Sequence, residues 1–134
     1  MERKPAIRPT AAELTLLRVL WERGPSTVRE IHQAASGAKA TGYTTTLKIL
    51  QNMADKGLVR RDKSRRSHVY EAARQAEHTQ RQLVRDLLHR AFGGSPGKLV
   101  VQALSEKKAS PDELAEIRNL LDKLEARQGK TRMP

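Results

Sequence analysis

The stretch that decides the fold is residues 41–70, with the sequence TGYTTTLKILQNMADKGLVRRDKSRRSHVY. Its first half predicts a short helix, with Thr41 as the N-cap and Gly57 as the C-terminal stop. Small polar and long polar side chains occupy the outer faces of that helix. Three apolar residues are predicted to share its buried face: Ile49, Leu50 and Met53.

The second half of this stretch predicts two strands joined by a basic turn. The strands are Leu58 to Lys63 and His68 to Ala72, and the turn is Ser64 to Ser67. A polar-faced helix followed by a basic hairpin is the plan of a winged helix-turn-helix, in which the helix enters the DNA major groove and the hairpin lies along the phosphates. The stretch therefore predicts binding to duplex DNA.

Two further helices are predicted before this stretch. The first opens at the capping box Thr10-Ala-Ala-Glu13 and ends near Arg23, where Gly24-Pro25 stops it. A second capping box, Thr27-Val-Arg-Glu30, opens the next helix, which Ser36-Gly37 ends. The order helix, helix, helix, strand, strand completes a winged-helix domain, with Trp21 and Tyr70 assigned to its core.

The sequence pattern changes after residue 74, where three helices and no strand are predicted. The first runs from Gln75 to Phe92, Ser95-Pro96 opens the second, and the capping box Ser110-Pro-Asp-Glu113 opens the third. These short helices carry more apolar surface than they can cover, so pairing with a second copy is favoured over packing on the N-terminal domain. The candidate dimerisation residues are Leu87, Leu88, Phe92, Leu99, Val100, Leu104, Leu114, Ile117, Leu121 and Leu124.

The predicted fold class is mainly α with a small β-hairpin. Four parts are predicted: a flexible arm (1–9), a winged-helix DNA-binding domain (10–74), a helical dimerisation domain (75–128) and a flexible tail (129–134). In the first dimerisation helix, Val84, Leu87, Leu88, Ala91 and Phe92 are expected to face inward.

Composition supports a polyanionic partner. The 134-residue chain carries 26 Lys and Arg against 15 Asp and Glu, a net charge of +11, and its pI is about 10.6. A pI above about 9 is typical of nucleic-acid-binding domains, although basic proteins also bind RNA or acidic membranes. The densest basic run follows the candidate recognition helix, which favours DNA: Lys56, Arg60, Arg61, Lys63, Arg65 and Arg66.

Other features exclude several classes of protein. The chain has no cysteine, so disulfides and thiolate metal sites are ruled out. No apolar run approaches the roughly 20 residues of a membrane span, and the N-terminus lacks a signal-peptide core, so a cytoplasmic location without membrane insertion is expected. The histidines lack metal-binding spacing, and neither a phosphate loop nor a nucleophile elbow is present. We expect no enzyme activity, no metal and no cofactor.

The candidate DNA-contacting residues form two sets. Thr44, Thr45 and Thr46 can meet base edges or phosphates, although one of them, Thr46 above all, can instead face inward. Tyr43 can donate to a phosphate or pack under the wing. The recognition-helix set is Tyr43, Thr44, Thr45, Thr46, Lys48, Gln51 and Asn52. The wing set, expected to contact phosphates, is Arg60, Lys63, Arg65, Arg66 and His68.

These motifs together resemble the penicillinase-repressor (BlaI/MecI/CopY-type) family of bacterial transcriptional regulators. The resemblance covers about residues 10–127. The matching segments are Leu17–Trp21, Thr27–Ile31, Tyr43–Leu50, Lys56–Val59, Phe92–Val101 and Glu113–Leu124.

The resemblance implies a homodimeric repressor that binds a palindromic DNA operator. It also implies relief of repression through a membrane-bound metalloprotease sensor system, with a cut in the dimerisation domain that corresponds here to about Gln102–Ala103. Copper-responsive relatives carry a C-terminal cysteine cluster, and this chain lacks it. The competing interpretation is a basic nucleic-acid-binding module, nucleoid-associated or RNA-binding, without operator specificity.

Overall fold

The computed structural model describes residues 8–35, 42–64 and 66–131. In this part of the chain, six helices accompany a small antiparallel sheet, which confirms the predicted fold class. The elements are α1 (Ala11–Arg23), β1 (Ser26–Thr27), α2 (Val28–Ala35), α3 (Tyr43–Lys56), β2 (Val59–Asp62), β3 (Val69–Ala72), α4 (Ala76–Ala91), α5 (Pro96–Glu106) and α6 (Pro111–Thr131).

Capping boxes set the start of three helices, as the sequence predicts. At α1, the Thr10 amide donates to Glu13 Oε1 over 2.8 Å, and the Glu13 amide donates to Thr10 Oγ1 over 3.1 Å. The same reciprocal pair forms between Thr27 and Glu30 before α2 and between Ser110 and Glu113 before α6. Each box satisfies two backbone amide donors that a helix end otherwise leaves open.

The predicted N-cap of α3 is wrong. The helix begins one residue later than expected, with Gly42 at the N-cap position and no side-chain hydrogen bond there, whereas Thr41 and Ser36-Gly37 lie outside the described residues. Gly57 ends α3 as predicted: its φ of 83° is left-handed, a conformation that glycine adopts without the steric cost of a side chain.

The sheet has the strand order β1-β3-β2, and both pairings are antiparallel. The hairpin pairs Val59 with Ala72 and Asp62 with Val69, so the wing strands are slightly shorter than predicted. The third strand, β1, is absent from the sequence prediction, because two residues after Gly24-Pro25 have too little pattern to indicate a strand.

The core of the N-terminal part consists of nine buried hydrophobic side chains from α1, α2, α3 and the hairpin. Tyr70, predicted to be in the core, is fully buried. Trp21 packs against this core but stays half-buried, and its indole Nε1 donates to the Arg74 carbonyl over 3.0 Å. The nine are Leu16, Leu17, Leu20, Val28, Ile31, Leu50, Met53, Val59 and Tyr70.

The chain divides into two compact units, and the boundary lies inside α4, between Asp86 and Leu87. The sequence prediction places the functional boundary earlier, at residues 74 and 75, before that helix begins. In α4 only Thr79 is fully buried. The expectation that Val84 and Leu87 face inward is wrong for the single chain, where they are 50% and 45% exposed.

The C-terminal unit contains α5 and α6. Ser95 caps α5 as predicted, accepting from the Lys98 amide over 3.2 Å, with Pro96 in the first turn. The tail predicted from residue 129 is wrong in part, since α6 continues to Thr131. One glycine costs a helix only about 1 kcal/mol relative to alanine, so Gly129 does not end α6 by itself.

Candidate nucleic-acid interface

Helix α3 presents one polar face to solvent and one apolar face to the core. Leu50 and Met53 are fully buried and Ile49 is half-buried, close to the predicted pattern. The opposite faces expose the predicted recognition residues Thr44, Thr45, Lys48, Gln51 and Asn52. Hydroxyl, ammonium and amide groups on one exposed face can donate to and accept from base edges in a major groove.

Thr46 is a correction to the predicted set. It is 3% exposed, and its Oγ1 lies 2.9 Å from Nδ1 of His32 on α2 in a hydrogen bond. Because i and i+4 positions share a helix face, Thr46 points to the same side as Leu50. It therefore joins α3 to α2 and is unavailable to DNA.

Tyr43 lies at the first position of α3 and remains 46% exposed. Its ring meets the ring of His32 edge to face, with centroids 5.9 Å apart and an interplanar angle of 76°. The same histidine therefore contacts both Tyr43 and Thr46 in the first turn of α3. Sequence reasoning missed His32, because the contact depends on how α2 and α3 pack.

The wing exposes most of its predicted cationic side chains. Lys63, Arg66 and His68 are all exposed, whereas Arg65 lies outside the described residues. Arg60 is also exposed, and its Nη1 lies 4.0 Å from Glu71 on the neighbouring strand. Such a long surface ion pair contributes little, so Arg60 keeps most of its ability to bind a phosphate.

Asp62 organises the turn of the wing. Its Oδ1 accepts from the backbone amide of Ser64 over 2.9 Å and from the Ser64 hydroxyl over 2.6 Å. This side-chain-to-backbone bond is the usual way in which aspartate stabilises a tight turn. The acidic residue inside the basic run therefore shapes the hairpin.

Lys56, the first member of the predicted basic run, serves a different purpose. Its Nζ donates to both carboxylate oxygens of Glu13 on α1, over 3.0 and 2.8 Å. Burial opposes ionisation of Glu13, but the hydrogen bonds from Lys56 and Thr10, together with the Lys56 charge, outweigh it and lower the pKa of Glu13. The positive charge of Lys56 is thus compensated inside the domain.

Two clefts border the wing and differ in charge. One, of about 430 Å³, lies between the start of α2, the first turns of α3 and the wing; among its described lining residues are Arg29, Tyr43, Arg66 and His68, and none of those described is acidic. The other, of about 490 Å³, combines Arg60 and Arg74 with Glu71 and Glu77. Only the first offers uncompensated positive charge beside the recognition helix. Sequence reasoning did not select Arg29, since its distance from the wing is a tertiary property.

The candidate dimerisation residues are all exposed or half-buried in the chain. Leu87, Val100, Leu104, Leu121 and Leu124 are 38–51% exposed. Half-buried positions complete the set: Leu88, Phe92, Leu99, Leu114 and Ile117. Gln102 and Ala103, at the predicted cleavage position, are exposed in the middle of α5.

The described residues form neither a metal-binding cluster nor a membrane-spanning helix. In these ranges, no group of three or more His, Asp or Glu side chains is arranged to hold a metal ion. None of the helices described is both long and apolar enough to cross a membrane.

Comparison with known proteins decides the family. Residues 9–123 match the family described as penicillinase repressor. The chain belongs to this family. It is 30% identical over 118 residues to the protein named "Transcriptional regulator BlaI" in two strains of Mycobacterium tuberculosis, CDC 1551/Oshkosh and H37Rv, and the match covers 87% of this chain and 85% of each relative. The chain is therefore a transcriptional regulator and not an enzyme.

Among solved structures, the chain is similar to a MarR family transcriptional regulator from Silicibacter pomeroyi DSS. The two share 19% sequence identity with a TM-score of 0.44, and the match covers 84% of this chain. The chain spans 65% of the length of that structure.

Proposed function

We propose that this penicillinase repressor family member is a DNA-binding repressor that acts as a homodimer on a palindromic operator. The observation that carries this proposal is the exposed polar face of α3 beside a basic wing. Helix α3 inserts into the major groove, and Thr44, Thr45 and Lys48 in its N-terminal half contact base edges. Gln51 and Asn52 lie further along the same helix and contact bases or the adjoining backbone.

The wing and the first turn of α3 contact the phosphate backbone. Arg60, Lys63, Arg66 and His68 are exposed along one hairpin, and the hydroxyl of Tyr43 donates to a neighbouring phosphate. Phosphate contacts fix the position of a protein on the duplex, whereas base contacts select its sequence. We assign Arg65 to the same set on its place in the hairpin sequence.

Dimerisation is proposed through the apolar residues of α4, α5 and α6. A single winged helix reaches one half-site, and a two-fold dimer matches the two halves of a palindrome. Linking two DNA-binding domains in a dimer increases affinity for the operator by about 10²- to 10⁴-fold without a new DNA contact. The exposed leucines and valines of the C-terminal unit support this role.

Proteolytic release is the proposed route of induction, which the resemblance to the penicillinase-repressor family implies. A cut at Gln102–Ala103 divides α5 and separates α6 from the DNA-binding unit. Cleavage within a helix requires local unfolding of that helix. The two DNA-binding units then bind their half-sites independently. Operator affinity falls by the factor that dimerisation contributes, and repression is relieved. A membrane-bound metalloprotease sensor system is the proposed source of the signal.

DNase footprinting of the full-length protein on fragments of its own genome tests the repressor function. We expect one or a few short protected sites with two-fold symmetry, one of them upstream of a regulated gene. Diffuse protection along every fragment contradicts the proposal and supports a nucleoid-associated or RNA-binding module instead. In the sites that emerge, Thr45→Ala and Lys48→Ala should reduce discrimination between the operator and a mutated operator, by about 1–3 kcal/mol at a contacted pair.

A further inference from the structure

We propose that the cleft between α2 and the wing binds one phosphodiester group of the DNA backbone and that Arg29, in the first turn of α2, is a ligand of that phosphate. The inference rests on the proposed function, because it assumes that α3 enters the major groove. It adds a contact from a third element, α2, to those of the recognition helix and the hairpin.

The chemistry of the cleft fits an anionic ligand. Arg29, Tyr43, Arg66 and His68 all line it. Their side chains carry two guanidinium groups, a phenolic hydroxyl and an imidazole. Guanidinium groups bind phosphate oxygens in a bidentate manner, with stronger hydrogen bonds than neutral donors form. A cleft with these donors and no acidic lining residue among those described suits a phosphate better than a neutral ligand.

The second cleft shows that this charge balance is not shared by the whole wing. There Arg60 lies 4.0 Å from Glu71, and Arg74 shares the lining with Glu77. Because its lining includes two carboxylates as well as two guanidinium groups, that cleft has little net positive charge, although Arg60 itself can still reach a phosphate from the hairpin. Positive charge is therefore concentrated on the side of the wing that adjoins the start of α3.

Arg29 is available for an external ligand. Among the described residues it has no ion-pair partner. The carboxylate next to it in sequence, Glu30, accepts from the Thr27 amide over 2.9 Å and lies 3.6 Å from Arg23. The Glu30 carboxylate is thus directed to Thr27 and Arg23 and forms no ion pair with Arg29.

The position of Tyr43 connects this cleft to the recognition helix. The ring centroids of His32 and Tyr43 are 5.9 Å apart, and His32 Nδ1 forms a 2.9 Å hydrogen bond with Thr46 Oγ1. His32 of α2 therefore contacts two residues in the first turn of α3. A phosphate bound between Arg29 and Tyr43 therefore fixes the start of α3 against the DNA backbone. Such a contact sets the depth and register at which Thr44 and Thr45 meet the bases.

Salt titration of the full-length Arg29→Gln variant provides the first test. Binding to the footprinted operator and to a random duplex is followed by fluorescence anisotropy over a series of salt concentrations. The slope of log K against log salt is negative, and each lost phosphate contact reduces its magnitude by about 0.9, or by about 1.8 for a dimer. We expect this decrease, with similar fold losses of affinity on the two duplexes.

Arg18→Gln is the matched control for charge. Arg18 is exposed on α1 and does not line the cleft, so removing it should leave the slope close to that of the wild-type protein. An unchanged slope for Arg29→Gln, or a loss confined to the operator, overturns the inference. Failure of the wild-type protein to footprint any site instead overturns the proposed function.

Neutral backbone substitution gives a second measurement that alters the DNA and leaves the protein intact. Methylphosphonate linkages are placed one at a time in the operator, and affinity is measured for wild type and Arg29→Gln. We expect that, at one position in each half-site, the neutral linkage lowers the affinity of the wild-type protein. The same linkage should lower the affinity of Arg29→Gln little further. Equal losses for both proteins at every linkage contradict a contact between Arg29 and a phosphate.

Discussion

The two compact units of this protein differ in whether their apolar side chains are buried or exposed. Among its described residues, the unit that ends at Asp86 buries nine hydrophobic side chains in one core, to which three of its helices contribute. In the described part of the unit that starts at Leu87, seven large hydrophobic side chains are 38–62% exposed, and α5 has no buried residue. The first unit is complete within one chain, whereas an exposed apolar surface of this kind marks a place where another protein packs.

This difference indicates which unit carries each function. A domain with its own core can hold a recognition helix and a wing in fixed positions without help. Helices with uncovered leucines gain stability only from a partner, and a second copy supplies an identical apolar surface. We therefore propose that the first unit binds DNA and that the second unit forms the dimer.

The largest expected effect comes from placing a charge on the uncovered surface of α6. Leu121→Glu buries a carboxylate in the dimer interface, so we expect loss of the dimer and a fall in operator affinity of about 10²- to 10⁴-fold. Binding to random duplex should change little. Titration of both duplexes by anisotropy measures the two effects.

Asn119→Glu adds the same charge to α6 on the side opposite Leu121 and serves as the control. It should leave the operator affinity within about twofold of wild type, since charges on a solvent-facing position are screened. A large loss with Asn119→Glu as well as with Leu121→Glu shows that charge rather than interface disruption is responsible.

A core truncation in the first unit should damage folding instead. Leu50→Ala removes a fully buried side chain, and substitutions of this type cost about 2–5 kcal/mol. We expect a lower midpoint of urea unfolding, and binding to operator and random duplex should be lost together wherever the domain unfolds. An unfolding midpoint equal to that of wild type contradicts the assignment of Leu50 to the core.

The ion pair between α1 and α3 should make the first unit sensitive to acid. In the folded protein the pKa of Glu13 lies below the usual value for a glutamate, so the ionised carboxylate contributes stability above that usual value. This contribution is lost as the pH falls through the folded pKa. We expect the urea midpoint of wild type to drop more steeply than that of Glu13→Gln between about pH 5 and pH 3.

Glu13→Gln should also be less stable than wild type at neutral pH, because the variant removes a charged acceptor of Lys56 and Thr10. The size of this loss is moderated by solvent, since the Lys56 side chain is 39% exposed. Parallel pH profiles for the two proteins contradict a stabilising role for the ionised Glu13.

The smallest effect is expected at Tyr70. Its hydroxyl is buried without a hydrogen-bond partner among the described residues, and such a group costs about 1–3 kcal/mol to bury. Tyr70→Phe keeps the ring and removes that cost, so the free energy of unfolding should rise by about 1 kcal/mol. A decrease, measured by urea unfolding, indicates that the hydroxyl does have a partner.

Features fixed by local sequence were predictable, and contacts between distant segments were not. The three capping boxes join residues three positions apart, and Gly57 ends α3 through its own backbone conformation. By contrast, the Lys56–Glu13 pair spans 43 positions, and the sequence did not indicate that this lysine of the basic run forms an ion pair within the domain.

The candidate interface follows the same rule. The outer face of α3 was predictable from helical periodicity, whereas the inward position of Thr46 depends on His32 of another helix. The placement of Arg29 in a cleft with Arg66 likewise depends on how α2 meets the wing. Periodicity defines which face of a helix is polar, and tertiary packing decides which of its residues remain available.

Sedimentation equilibrium of the full-length protein, at the concentrations at which it saturates its operator, is the most direct test of dimeric DNA binding. We expect a species of about twice the 15.0 kDa chain mass, which Leu121→Glu converts to the single-chain mass without unfolding the first unit. A wild-type protein that sediments at 15.0 kDa while it saturates the operator would contradict the claim that the uncovered C-terminal helices pair two copies for DNA binding.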